Sequence, residues 1–200
     1  LAIPDFFLRE LYSSTLYSGL IPLSSNNGNI VFVESEINDL ISKASSFAIG
    51  MGMSKGDSTS IVSHILNNGT QNFVLDADGL YATKYIHNYY SRAILTPHPK
   101  EFSKIINKDV DFILRNKEEI VKEYANEHNA IILLKGTPDT IISDGNNIFL
   151  NKTGNERLAK GGSGDVLSGI IAGLLAWGVK LLDAATIGAF ILGKCAEICE

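Results

Sequence analysis

Short apolar runs and longer amphipathic runs alternate along this chain. NIVFV (Asn29–Val33), SFAIG (Ser46–Gly50), NFVLDAD (Asn72–Asp78), RAILT (Arg92–Thr96) and NAIILLKG (Asn129–Gly136) are the short ones, and they read as strands. They are nearly unbroken apolar runs rather than alternating ones, which suits strands covered on both faces of a parallel sheet. Helical spacing marks Ile37–Ala44, Ser58–Asn67, Asp109–His128, Asp165–Trp177 and Asp183–Glu200. DTIISDGNNIFLN contains two β-rich runs around Asp144-Gly145, the pattern of a hairpin near the C-terminal end. Strand then helix, repeated, predicts an α/β fold: a mostly parallel sheet flanked by helices, with a C-terminal β-hairpin.

Ligands in such folds collect beyond the C-terminal ends of the strands. The polar clusters of this chain fall there: GMGMSKGD, DADG, TPHPKE and KGTPD each follow a strand. Turn chemistry alone explains any one of them. Four on one rim point to a binding site.

Length and composition narrow the class. Two hundred residues, 45% hydrophobic and 20% charged, fit one globular domain spanning residues 1–200. A formal net charge of −5 speaks against a nucleic-acid partner, since phosphate backbones reward excess Lys and Arg. No apolar run approaches a membrane span, so no membrane partner is expected. Cys195 and Cys199 stand four apart and read as buried free thiols of a reducing, cytoplasmic compartment. The chain starts at Leu1 and ends inside a helical pattern, which reads as a fragment or a processed chain.

The most informative stretch is NKTGNERLAKGGSGDVLSGIIAGLLAWG, Asn151–Gly178. Glycines let amide N–H groups converge on an anion, and the helix behind them adds free N–H groups and a partial positive charge. The result is a phosphate site. Val166, Leu167, Ile170, Ile171, Leu174 and Leu175 supply a core face; Gly169, Ala172, Gly173 and Ala176 allow close packing. Asp165 stands in the first turn. From residue types alone it is either an acid favoured by the helix dipole or a general base beside a transferring phosphoryl group. The Walker A spacing is absent.

The other clusters carry both readings too. TPHPKE reads as a loop stiffened by Pro97 and Pro99, presenting His98 and Glu101 to a substrate, a phosphate or the water shell of Mg²⁺. Asp76 and Asp78 form an acid cluster, and Asp78 could cap the next helix. Lys135 grips a phosphate or marks the surface.

Together AIGMG, VLDADGLY, LTPHPKE, LLKGTPDTIISDG and NKTGN…LAKGGSGDVLSGIIAGLLAWG resemble, in order and approximate spacing, the ADP/ATP-dependent NAD(P)H-hydrate dehydratases of the ribokinase-like superfamily. The resemblance covers Ser46–Glu200. It implies a ribokinase-like fold and repair of the S epimer of hydrated NADH or NADPH. The ring hydroxyl is phosphorylated by ADP or ATP with Mg²⁺, and phosphate then leaves. By the same resemblance Asp165 is the catalytic acid that contacts the hydrate. Gly162, Ser163 and Gly164 form the anion hole, with Gly164 also on the nucleotide. Lys135, Gly136, Thr137, Pro138 and Asp139 are the nucleotide segment. Gly50, Gly52 and His98 bind the hydrate, and Glu101 is associated with magnesium. The resemblance further implies a homo-oligomer such as a tetramer.

This chain departs from the family pattern at Asn155-Glu156-Arg157 and Pro99-Lys100-Glu101, where a loop glycine is replaced each time. Residues 1–45 match weakly, so the expected domain lacks the family's N-terminal glycine-rich segment. Two other readings stand beside the dehydratase: a ribokinase-like vitamin-precursor kinase, which would leave a stable phosphate ester, and a nucleotide-binding module without turnover.

Overall fold

The computed structural model describes residues 1–7, 19–53, 57–136 and 139–198. Its main sheet has six strands: β5 (Ser46–Ile49), β6 (Asn72–Leu75), β7 (Ala93–Leu95), β8 (Ile131–Leu134), β9 (Thr140–Ser143) and β10 (Ile148–Asn151). They lie in the order β10-β9-β8-β7-β6-β5. β5 to β8 are parallel, and β9 and β10 close the sheet as the expected antiparallel hairpin. Four short strands stand outside it: β1 (Ala2–Pro4) pairs with β2 (Ile21–Leu23), and β3 (Ser25–Asn26) with β4 (Asn29–Ile30).

The helices are α1 (Glu34–Lys43), α2 (Ser58–Asn68), α3 (Pro99–Ile106), α4 (Val110–Arg115), α5 (Lys117–His128), α6 (Ser163–Ala176) and α7 (Leu181–Ile198). Successive residues of each central strand point to opposite faces. Phe73, Leu75, Ala93, Leu95, Ile132 and Leu134 pack with Ile37, Ile61, Phe102, Ile113 and Val121 of α1 to α5. Val74, Ile94, Leu133 and Ile142 pack with Leu167, Ile171, Leu175, Ala185 and Ala189 of α6 and α7. Helices therefore cover both faces, as the unbroken apolar strands require.

Several expectations are corrected. Asn29–Val33 is not a strand of the main sheet: Asn27 and Gly28 take positive φ (52° and 77°) and fold the chain into the small β3–β4 pair. Asp109–His128 is two helices: Asn116 leaves helical geometry (φ −124°, ψ 28°) and is at once the end of α4 and the start of α5, with its side-chain amide donating to the Phe112 carbonyl (2.8 Å). TPHPKE is not a loop throughout; α3 starts at Pro99. Val166 is 53% exposed, and open space faces Gly169 and Gly173, so neither packs closely. Cys195 is free and exposed, since Gly193 and Ala196 take the inner face of α7; Cys199 lies outside the described residues.

Candidate active site

The described residues of all four polar clusters meet on one rim. At its centre stands Asp76, the residue after β6, which is 3% exposed. One carboxylate oxygen accepts from Lys135 Nζ (2.7 Å) and from the Ala77 N–H (2.9 Å). The other accepts from Ser168 Oγ (3.1 Å), in the second turn of α6. The first bond ties β6 to the end of β8, and the third ties both to the helix behind the glycine loop. Asp76, not Asp78, caps the following tight helical segment, Ala77–Lys84.

Glycines are needed where backbone meets backbone on this rim. At Gly50 (φ 122°) a Cβ would overlap the Asp76 carbonyl and the Gly79 nitrogen, and would stand 2.8 Å from the Gly79 Cα. At Gly164 a Cβ would stand 3.1 Å from Asp76 Oδ2 and 3.3 Å from Lys135 Nζ. The first turn of α6 thus lies directly against the Asp76–Lys135 pair.

Gly162 takes φ 91° at the start of α6, and no side chain caps the helix. The Val166 N–H closes onto the Gly162 carbonyl (3.0 Å), while helix geometry leaves the Gly164 and Asp165 N–H groups without an intrahelical acceptor. Asp165 is exposed in the first turn. Gly52 is exposed as well, with φ 67°.

His98 and Glu101 do a structural job. His98 Nδ1 accepts from the Lys100 and Glu101 N–H groups (3.1 and 3.2 Å), and Glu101 Oε2 accepts from the His98 N–H (2.8 Å). This is a reciprocal cap on α3, with Pro99 in its first turn. With Nδ1 accepting, a neutral imidazole carries its proton on Nε2, 3.5 Å from Glu101 Oε1.

A cleft of ≈ 930 Å³ opens beside this rim. His98, Lys135, Gly136, Asp139, Ser163 and Gly164 line it; Asp165, Gly50 and Gly52 do not. Thr137 and Pro138 lie outside the described residues. Lys100, Lys135 and Lys152 all face the cleft, in a chain whose net charge is −5. Asn151–Asn155, the start of the glycine-rich stretch, forms a wall of the cleft. It is strapped to α7: Asn155 Nδ2 donates to the Ala196 carbonyl (2.8 Å), and the Gly154 N–H to Glu197 Oε1 (2.8 Å). The Lys194 side chain and the Gly154 N–H hold the Glu197 carboxyl below its ordinary range. A Cβ on Gly193 would stand 2.7 Å from the Thr153 carbonyl carbon. Gly193→Ala is therefore expected to push the wall off α7 and cost about 2 kcal/mol. Thermal unfolding of the variant checks this; an unchanged Tm contradicts it.

Among the described residues, no group of three His, Cys, Asp or Glu side chains could hold a metal by itself. Mg²⁺ commonly keeps several waters and binds through one or two carboxylates plus substrate phosphates. The donor set fits that mode alone, with Glu101 as a carboxylate at the rim.

The chain matches the family model described as NAD(P)H-hydrate dehydratase over residues 20–200. It is 37% identical over 155 residues to the bifunctional NAD(P)H-hydrate repair enzyme of Moorella thermoacetica, covering 75% of this chain and 29% of that protein. It is 35% identical over 152 residues to the ADP-dependent (S)-NAD(P)H-hydrate dehydratase of Bacillus subtilis, covering 76% of this chain and 54% of that protein. The match thus spans about half the length of the monofunctional relative and under a third of the bifunctional one. The crystal structure of the B. subtilis ADP/ATP-dependent NAD(P)H-hydrate dehydratase, co-crystallised with ATP/Mg²⁺, superimposes with a TM-score of 0.78 at 28% identity. That superposition covers 98% of this chain and 68% of that one.

Proposed function

This chain belongs to the NAD(P)H-hydrate dehydratase family, and we propose that it converts (S)-hydrated NADH or NADPH to NAD(P)H, with ADP or ATP as phosphoryl donor. One observation carries the reading: the glycine turn of α6 lies over Lys135 at the mouth of a lysine-lined cleft. That arrangement suits a nucleotide whose phosphates end at the helix N-terminus. In this reading Lys135, Gly136, Thr137, Pro138, Asp139 and Gly164 hold the nucleotide. Gly162, Ser163 and Gly164 receive the phosphoryl group. Asp165, one residue further round the helix, belongs with Gly50 and Gly52 outside that cleft, where the hydrate docks, and His98 meets the hydrate from the cleft's own lining.

The chemistry follows. Asp165 takes the proton of the ring hydroxyl as its oxygen attacks the terminal phosphorus. The bridging P–O bond breaks, releasing the shortened nucleotide. The N–H groups of the glycine turn balance the charge on the transferring group. Hydroxide is a poor leaving group and phosphate a better one. The ring nitrogen lone pair expels phosphate, and loss of a proton from the neighbouring carbon restores the dihydronicotinamide. Bound Mg²⁺ would neutralise phosphate charge.

The same proposal places the protein in the cytoplasm as a homo-oligomer such as a tetramer. No described helix is long and apolar enough to cross a membrane. Exposed Phe149, Phe190, Ile191 and Trp177 supply apolar surface for self-association.

Phosphorus NMR of a reaction with hydrated NADPH tests the activity. The dehydratase yields inorganic phosphate, whereas a persistent phosphate ester would favour a hydroxyalkyl kinase. His98 has its own test, because Asn also caps helices well. His98→Asn is expected to stay within about 0.5 kcal/mol of the parent in stability while raising KM for the hydrate roughly tenfold. An unchanged KM would leave His98 as a cap only.

A further inference from the structure

Asp76 is buried, charged by type and unused in the reaction above. Its side chain also touches the lysine that follows β8, the α6 helix and its own loop together. The geometry points to Asp76 as a positioning residue: with Ser168, it holds the Lys135 ammonium beneath the glycine turn, so that lysine and backbone N–H groups converge on the donor's phosphates. This rests on the nucleotide reading of the cleft.

The argument is one of freedom and direction. A lysine on a four-carbon stem has rotamer freedom and no directional preference of its own. Here one of its three N–H donors is taken by Asp76 Oδ1 at 2.7 Å, which fixes where Nζ sits. The Lys135 side chain keeps 24% of its surface exposed and lines the cleft, whereas the Asp76 side chain keeps 4%. The remaining donors can therefore meet an anion that Asp76 itself cannot reach. Asp76 in turn cannot rotate, because Ser168 Oγ and the Ala77 N–H hold its two oxygens. The absence of a side chain on Gly164 brings the helix to the pair: a Cβ there would stand 3.3 Å from Lys135 Nζ. Lysine and helix N-terminus thus reach the anion as one preformed unit.

The test compares ADP with adenosine, which lacks the phosphates, by titration calorimetry on the whole chain. Asp76→Asn keeps the shape and the Ala77 contact. It is expected to weaken ADP about tenfold and adenosine less than about twofold. In a Lys135→Met background the same change should alter ADP affinity by less than about twofold, because the residue it acts through is gone. Ser168→Ala leaves the ion pair intact and covers the case in which the stronger variants fail to fold. It should show the same ADP-selective loss, about threefold. Equal weakening of ADP and adenosine would mark Asp76 as merely structural and overturn the inference, as would an undiminished effect in the Lys135→Met background. If the parent chain binds no ADP, the nucleotide reading itself falls and takes this inference with it.

Discussion

Asp165→Asn is expected to cut turnover by about 10²-fold or more while leaving the fold and nucleotide affinity near those of the parent. Its position explains why the effects separate. Asp165 is exposed, so its replacement removes no core contact. It does not line the cleft that Lys135, Asp139 and Gly164 share, so a nucleotide there does not depend on its carboxylate. Asn retains size and polarity but cannot take a proton from the attacking hydroxyl. Turnover is read by phosphate release and affinity by calorimetry. Near-parental turnover would refute Asp165 as the base. Joint loss of turnover and nucleotide affinity would place it in the nucleotide site instead.

Gly50→Ala carries the largest expected effect on stability, a loss of more than about 3 kcal/mol. Two costs add. At φ 122° an L side chain is strained whatever surrounds it. The new methyl would also overlap the Asp76 carbonyl and the Gly79 nitrogen, both backbone atoms that cannot swing away. The Asp78 N–H donates to the Gly50 carbonyl (3.2 Å) and the Asp76 N–H to the Ile49 carbonyl (3.0 Å), so β5 and the DADG turn would separate together. Denaturant unfolding of parent and variant measures it. Gly52→Ala is the control: φ is positive (67°) but nothing lies near its Cβ, so only the backbone strain of about 1–2 kcal/mol remains. Equal losses in both variants would show that crowding at Gly50 contributes little.

The central strands were legible because each is an apolar run ending in Gly, Asp or Pro, and those endings mark the rim. The hairpin was legible in Asp144-Gly145. Asn29–Val33 misled because its apolar pattern matches a buried strand, while the preceding Asn27-Gly28 turn turns the chain away from the sheet. The α4–α5 break is a single residue, Asn116, out of helical geometry (φ −124°, ψ 28°), which apolar periodicity does not register. α3 had a readable signal, a proline in the first turn with glutamate three residues after His98, yet the same residues look like a binding loop. Of the candidate site, the glycine turn stood out by residue type, whereas Lys135 was open between a phosphate contact and a surface charge until the family resemblance gave it a role. The tie between Asp76 and Ser168 did not stand out, since 92 residues separate them and only the meeting of β6 with α6 brings them together. The NKTGN segment was visible as part of the glycine-rich motif, but its attachment to α7 was not, for the same reason.

The most direct test of the account is the near-ultraviolet absorbance of the dihydronicotinamide ring, followed with purified protein, (S)-hydrated NADH and Mg²⁺, adding ADP and ATP in separate runs. The account predicts a rise that requires nucleotide and identifies the donor. A flat trace with both nucleotides, while calorimetry shows that they bind, would contradict hydrate repair by this chain.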